Sequence, residues 1–141
     1  LGLGDNTSRS SPTAISGITG VKQITTGLHH TLILMTDDTV KGFGLNGSGQ
    51  LGLGDKVNRN SPTDITLLSG VAQVAAGYQY SAVLMNDGTV KSFGNNGQHQ
   101  LGINATYNDE VTVPTAVPGL SDIKEVISGG YHNTFVIMEE P

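Results

Sequence analysis

The sequence predicts an all-β fold assembled from stacked copies of one four-stranded unit. Three observations carry that reading: a long internal period, a composition poor in charge, and short apolar runs closed by turn residues. Leu1-Gly2-Leu3-Gly4-Asp5 returns as Leu51-Gly52-Leu53-Gly54-Asp55, and Ser11-Pro12-Thr13 returns as Ser61-Pro62-Thr63, both at a spacing of 50. A third copy follows at a spacing of 52, taking Pro62 to Pro114, Val74 to Val126, Gly77 to Gly129 and Tyr80 to His132. A period of this size marks one supersecondary unit stacked on copies of itself rather than a single closed core. It divides the chain into repeats at 1–50, 51–100 and 101–141, all within one domain.

Composition agrees. Only 13% of residues are charged, which suits strands joined by polar turns better than Glu/Lys-rich helices. Seven basic against twelve acidic residues leave a net charge of −5. The basic residues are scattered, with no two adjacent, so no phosphate-binding surface is expected and nucleic acid is not an expected partner. The chain has no cysteine, which excludes disulfides, cysteine-ligated zinc and thiol catalysis. No apolar run approaches the ~20 residues that span a bilayer as a helix, so membrane insertion is not expected. The chain starts at Leu1 inside a repeated motif and is read as a piece of a longer polypeptide.

Each copy then resolves into strands. Val71–Ala76 is a short apolar run ending at Gly77; residues 81–85 form a second, and residues 89–93 a third after the turn Asn86-Asp87-Gly88. Asp-Gly supplies positive φ at low cost, so a hairpin is expected there. The first copy has Asp37-Asp38 in that turn, and Asp tolerates the left-handed region acceptably. An extended stretch around residues 62–65 supplies a fourth strand, at an edge where a proline's missing N–H is tolerated. Four strands per repeat of about 50 residues, with no convincing helix, describe a β-propeller blade.

These residues also carry a family resemblance. Gly49-Gln50-Leu51-Gly52-Leu53-Gly54-Asp55, Pro62, Val71, Val74, Gly77, Asp87-Gly88, Val90, Phe93-Gly94 and Asn96 to Gln100 together resemble the regulator of chromosome condensation repeat. The resemblance covers essentially the whole chain and implies a seven-bladed ring, of which this chain holds about three blades. It departs from the usual pattern at Phe43 and Phe93, where Trp is common, and at Tyr80, where His is common. The third repeat lacks a counterpart of Val40 to Gly44. An aromatic-Gly-x-Asn segment just upstream of Leu1 is expected to supply that strand in a closed ring.

Several motifs invite a chemical reading and receive a structural one. Gly42-Phe43-Gly44-Leu45-Asn46-Gly47 matches a dinucleotide fingerprint, but that fingerprint needs a following helix N-terminus, and Ser48-Gly49-Gln50 does not start one. Adjacent His29 and His30 would point to opposite faces of a strand and cannot share an ion. His30 and His132 share a repeat position, which argues for an imidazole bonding a neighbouring strand's backbone. Asp5 with Arg9 recurs as Asp55 with Arg59, a loop-fixing pair. The sequons at Asn6, Asn46 and Asn104 are expected by chance in so Asn- and Thr-rich a chain. No catalytic, metal or cofactor residues are expected.

What does not repeat is left to carry function. After Gly27, Gly77 and Gly129 the loops read Leu28-His29, Tyr78-Gln79 and Gly130-Tyr131. Neighbouring blades would set them side by side, so Leu28, His29, Tyr78, Gln79 and Tyr131 are the candidate partner-binding residues. The expected function is a non-catalytic recognition module for another protein or a surface glycan, in an extracellular or surface-associated bacterial, phage or secreted setting. The alternatives are a regulatory protein of the guanine-nucleotide-exchange type, an enzyme inhibitor, or a structural component of a larger assembly. Stacking leaves apolar blade faces at both ends. The remainder of its own propeller or neighbouring copies are therefore expected partners as well.

Overall fold

A computed structural model describes residues 1–104 and 109–138, and among these every regular element is a β-strand. The first sheet holds β1 (Val21–Thr26), β2 (His30–Met35), β3 (Val40–Gly44) and β4 (Arg59–Asp64) in that spatial order, all antiparallel. The second repeats it with β5 (Val71–Ala76), β6 (Tyr80–Met85), β7 (Val90–Asn95) and β8 (Glu110–Ala116). A third blade contributes one hairpin, β9 (Ile123–Gly129) with β10 (Asn133–Met138). The expected fourth strands are present: β4 carries Pro62 and β8 carries Pro114, both on sheet edges.

Turn chemistry follows the sequence. Gly88 adopts φ +78° and Asp38, its counterpart, φ +61°. Each inner strand bulges at one residue, Lys22 in β1 and Ala72 in β5, which breaks the pairing between Val21 and Gln23 and between Val71 and Gln73. A bulge adds local twist and re-aims the next side chain. Here that side chain reaches the next blade. Gln23 donates Nε2–H to the Val74 carbonyl at 2.9 Å and accepts the Val74 N–H at 3.0 Å, and Gln73 accepts the Val126 N–H at 2.8 Å.

The core lies at the seam between blades. Strand alternation sends Leu32, Leu34 and Val40 toward the second blade, where they meet Val71, Val74, Val83 and Phe93, joined by Leu51, Ile65 and Leu68. The opposite face of the second blade sends Ala82, Leu84 and Val90 to Ile123 and Val126 of the third. Phe93 lies flat on Gly52, where a Cβ would fall 2.9 Å from the ring, and Phe43 lies likewise on Gly2 at 3.0 Å. The connection between the third and fourth strands of the first blade therefore runs beneath the aromatic ring of the second. Among the described residues no strand packs on that face of the first blade, and there the same positions are wet: Val21 and Ile24 are 40% and 58% exposed, against 0% and 1% for Val71 and Val74.

The third hairpin departs from the repeat. In the first two blades Ile24 faces Ile33 and Val74 faces Val83, so the period places Val126 opposite Phe135. Instead Val126 pairs with Val136 and Ile127 with Phe135, a slip of one residue. Such a slip turns each side chain of a strand to the other face and is resisted only where burial pins the register. Among the described residues β10 has no strand on its outer edge, and Phe135 is 58% exposed.

His30 shows how the seam handles a polar side chain. Its Nε2 lies 2.9 Å from Ser81 Oγ in the next blade, and Ser81 donates its own proton to the Gln50 carbonyl at 2.7 Å. The Ser81 oxygen can therefore only accept, so His30 carries its proton on Nε2. This corrects the expectation of a bond to neighbouring backbone: the partner is a side-chain hydroxyl. In the second blade Tyr80 does reach backbone, donating its hydroxyl to the Asn133 carbonyl at 2.6 Å. The ring at this position covers Gly77, where a Cβ would sit 2.0 Å from Tyr80 Cε1. Nδ1 of His30 is buried without a partner, and burial, helped by the neighbouring His29, holds its pKa down at about 4.

Two outcomes follow from the seam. Phe93→Ala should cost about 3–5 kcal/mol of unfolding free energy, as for other fully buried aromatics. Phe43→Ala, at the terminal seam, should cost less; urea unfolding read by circular dichroism measures both. The second concerns pH. With the folded His30 pKa near 4 and the unfolded value near 6.5, only the unfolded chain gains a proton between these limits. Stability should therefore fall as pH drops from about 6.5 to 4, by a total of about 3 kcal/mol. His30→Gln, which can still donate to Ser81, should flatten urea midpoints over that range; an unaltered slope would contradict the assignment.

Candidate functional site: an aromatic cluster on the blade loops

Tyr78 and Tyr131 occupy the loops between the first two strands of consecutive blades, β5–β6 and β9–β10. Their rings stack with centroids 5.0 Å apart and planes inclined by 28°. His132 closes the group, 6.0 Å from Tyr78 and 6.1 Å from Tyr131. Tyr131 is 68% exposed, Tyr78 is half-buried, and the two rings present a shared apolar surface with hydroxyl tips. Stacked aromatic pairs contribute about 0.5–1.5 kcal/mol beyond area burial, so the cluster is pre-formed rather than two independent side chains.

The loops under the rings are fixed by backbone. Asn95 N donates to the Gln79 carbonyl at 2.9 Å, and Leu45 N makes the same bond to the His29 carbonyl at 2.8 Å. Gln79 is half-buried beside Tyr78. Leu28 and His29 are exposed on the corresponding loop of the first blade, but neither belongs to the aromatic cluster. Of the five candidates, the structure stacks two against each other.

His132 was missed by the repeat argument, which gave it the buried duty of His30. It is exposed instead, with Nδ1 3.4 Å from Gln100 Nε2. The register slip removes it from the position from which His30 and Tyr80 reach forward. The signal available in the sequence was its place next to Tyr131, a neighbour that the period does not repeat.

The remaining motifs are scaffold. Phe43-Gly44 closes β3, and no helix follows it. Asn46 is fully buried, accepting the Leu51 N–H on Oδ1 and donating Nδ2–H to Asp55, which leaves no amide for a glycan. The sequon at Asn104 extends outside the described residues. Arg9 and Arg59 pair with Asp5 and Asp55 at 2.7 and 2.6 Å. The Arg9 guanidinium and the Thr7 N–H hold the Asp5 carboxyl below its ordinary range, and the Val57 N–H and Arg59 do so for Asp55. Among the described residues no three potential metal ligands converge.

Comparison with known proteins fits this geometry. The model of the Regulator of chromosome condensation (RCC1) repeat matches residues 37–84 and 87–136, and a second model of that description matches 21–50 and 71–100. Yeast RCC1 (Prp20), solved bound to Kap60, is similar over 86% of this chain with 26% identity and a TM-score of 0.74, this chain spanning 31% of its length. Prp20p from Saccharomyces cerevisiae, studied for its binding to Gsp1p and histones, gives 25% identity over 87% of this chain and 32% of its own, with a TM-score of 0.75. Human WBSCR16 gives 28% identity over 78% of this chain and 29% of its own, with a TM-score of 0.67. No curated protein sequence matches. The all-β blades, the aromatic seam and the repeat matches together place this chain in the regulator of chromosome condensation repeat family, as a partial β-propeller.

Proposed function

We propose that the chain is a non-catalytic recognition module that grips a protein partner through the Tyr78–Tyr131 pair and His132. The carrying observation is that two tyrosines at non-repeating loop positions of consecutive blades stack at 5.0 Å on an exposed surface. The seam between the first two blades is packed and bonded through Phe93, His30 and Gln23 with no part taken by either tyrosine. Large, rigid aromatic side chains give contact area at low entropic cost, which is why they dominate binding hot spots. Gln79, Leu28 and His29 flank the cluster or continue the same series of loops and form the rim of this surface. Related propellers have protein partners, Prp20 with Kap60, Gsp1p and histones among them. Nothing carries guanine-nucleotide exchange onto this chain residue by residue, and no specific observation favours a glycan.

Tyr78→Ala and Tyr131→Ala should each weaken capture of the partner about ten-fold or more, within the range of hot-spot truncations. Quantitative pulldown with wild-type and variant chains measures this, with circular dichroism confirming that the sheets persist. Retention unchanged by either variant would remove the site. A signal on a glycan array, lost in the same variants, would move the partner to carbohydrate.

A further inference from the structure

The end of the blades that carries the tyrosine stack has no fixed charge at its centre. His30 pairs with Gly44 and Tyr80 with Gly94, so the connections leaving β3 and β7 lie beside the β1–β2 and β5–β6 loops. None of residues 27–30, 44–54, 77–80, 94–104 or 129–133 is Asp, Glu, Lys or Arg, and histidine and tyrosine are the only titratable side chains there. Charges at that end begin only at the outer connections and strands, where Arg59 pairs with Asp55 and Lys56 with Glu110. The stack itself spends one face of each tyrosine ring on the other. Ring edges, the positive side of the aromatic quadrupole, meet acceptors rather than cations. Among the described residues the Tyr78 and Tyr131 hydroxyls and the Gln79 amide find no hydrogen-bond partner. The surface therefore offers hydrogen-bond donors on an apolar, uncharged ground. A polyproline II segment is its complement: proline rings are apolar and lack an N–H, and the carbonyls make no internal bonds and stand free to accept.

We propose that the tyrosine face takes an uncharged, proline-rich segment of its protein partner in the polyproline II conformation. This rests on the reading of Tyr78 and Tyr131 as the recognition site and adds the chemistry of what they recognise. Proline rings pack against the stack, while the two hydroxyls and the Gln79 amide donate to the segment's carbonyls. Aromatic-lined surfaces capture such segments because the helix is formed before docking and loses little entropy on binding. A cationic segment finds no carboxylate in these loops to pair with, and an acidic segment finds no lysine or arginine.

The chain has four tyrosines and no tryptophan, so tyrosine fluorescence reports on the stack and calorimetry gives the affinity. Titration at about pH 8, where imidazole is uncharged, uses a proline decamer against a Gly-Ser decamer. The proline decamer should saturate the signal, and the Gly-Ser decamer should not bind at millimolar concentration. Affinity should stay within about two-fold between ~0.05 and ~0.5 M salt, a range that screens charge pairing. Tyr131→Phe, which keeps the ring and loses a donor, should weaken binding about three- to ten-fold. Tyr131→Ala should weaken it at least about ten-fold, with circular dichroism confirming that the sheets persist. No saturation by the proline decamer, equal binding of the Gly-Ser decamer, or tighter binding of an arginine or glutamate decamer overturns the proposal. So does a glucan oligosaccharide that shifts the tyrosine signal where the proline decamer does not. If the proline decamer fails while Tyr78→Ala still loses the partner in pulldown, only the partner chemistry falls. If the tyrosine variants keep the partner, the site falls with it.

Discussion

The structure depends on one repeated contact, an aromatic ring lying on a glycine of the Gly-rich connection before it, Phe43 on Gly2 and Phe93 on Gly52, the latter between the third and fourth strands of the preceding blade. At Gly52 the ring of Phe93 is so close that no side chain could intervene. That contact ties a connection to its neighbour's third strand, so a blade is finished only by the next one. Burial explains the dependence. Leu32, Leu34 and Val40 on one side and Val71, Val74 and Val83 on the other belong to one cluster and are all but completely buried. At ~25 cal/mol per Å² such surfaces stabilise the stack far more than the exposed ion pairs of the loops do.

Polar groups follow the same logic. A glutamine after the inner-strand bulge satisfies both backbone groups of Val74 across the seam, and a ring three residues after Gly27 or Gly77 bonds forward into the next blade. The partner varies while the direction does not. His30 finds a hydroxyl and Tyr80 a carbonyl, since Ser81 and Asn133 differ at the receiving position. In the third blade Glu125 stands where Gln23 and Gln73 stand. A carboxylate accepts but cannot donate, so this blade can offer only half of the glutamine's paired bond.

Most of the fold was legible because local chemistry and the period agreed. Asp87-Gly88 fixed a hairpin, Pro62 an edge strand, and the 50-residue spacing carried both onto the other copies. Tyr78 and Tyr131 were legible for the opposite reason: they stand in equivalent loops, Tyr78 against Gly130 and Tyr131 against Gln79, and neither repeats. The period misled where the environment of a copy differs. It placed Val126 opposite Phe135 and gave His132 the buried role of His30. Both assignments assume a third strand and a following blade, and among the described residues neither lies against β10. Leu28 and His29 occupy the right loop, but the cluster needs aromatic rings on adjacent blades, and theirs offers none to Tyr78.

Scaffold and recognition are thus separated by residue type as well as by position. The residues that repeat are consumed in the seam, where Gly, Phe, Gln and His meet geometric demands that admit few substitutes. The loop residues face no such demand and are free to differ between blades, so aromatic side chains there cost the fold little. Their stacking across a seam has a further consequence. The distance between Tyr78 and Tyr131 is set by the packing of the second blade on the third, through Val90, Ile123 and Val126 beneath them. A change in how the third hairpin is seated would therefore move one tyrosine relative to the other, and the shape of the recognition surface is coupled to the least-constrained blade in the chain.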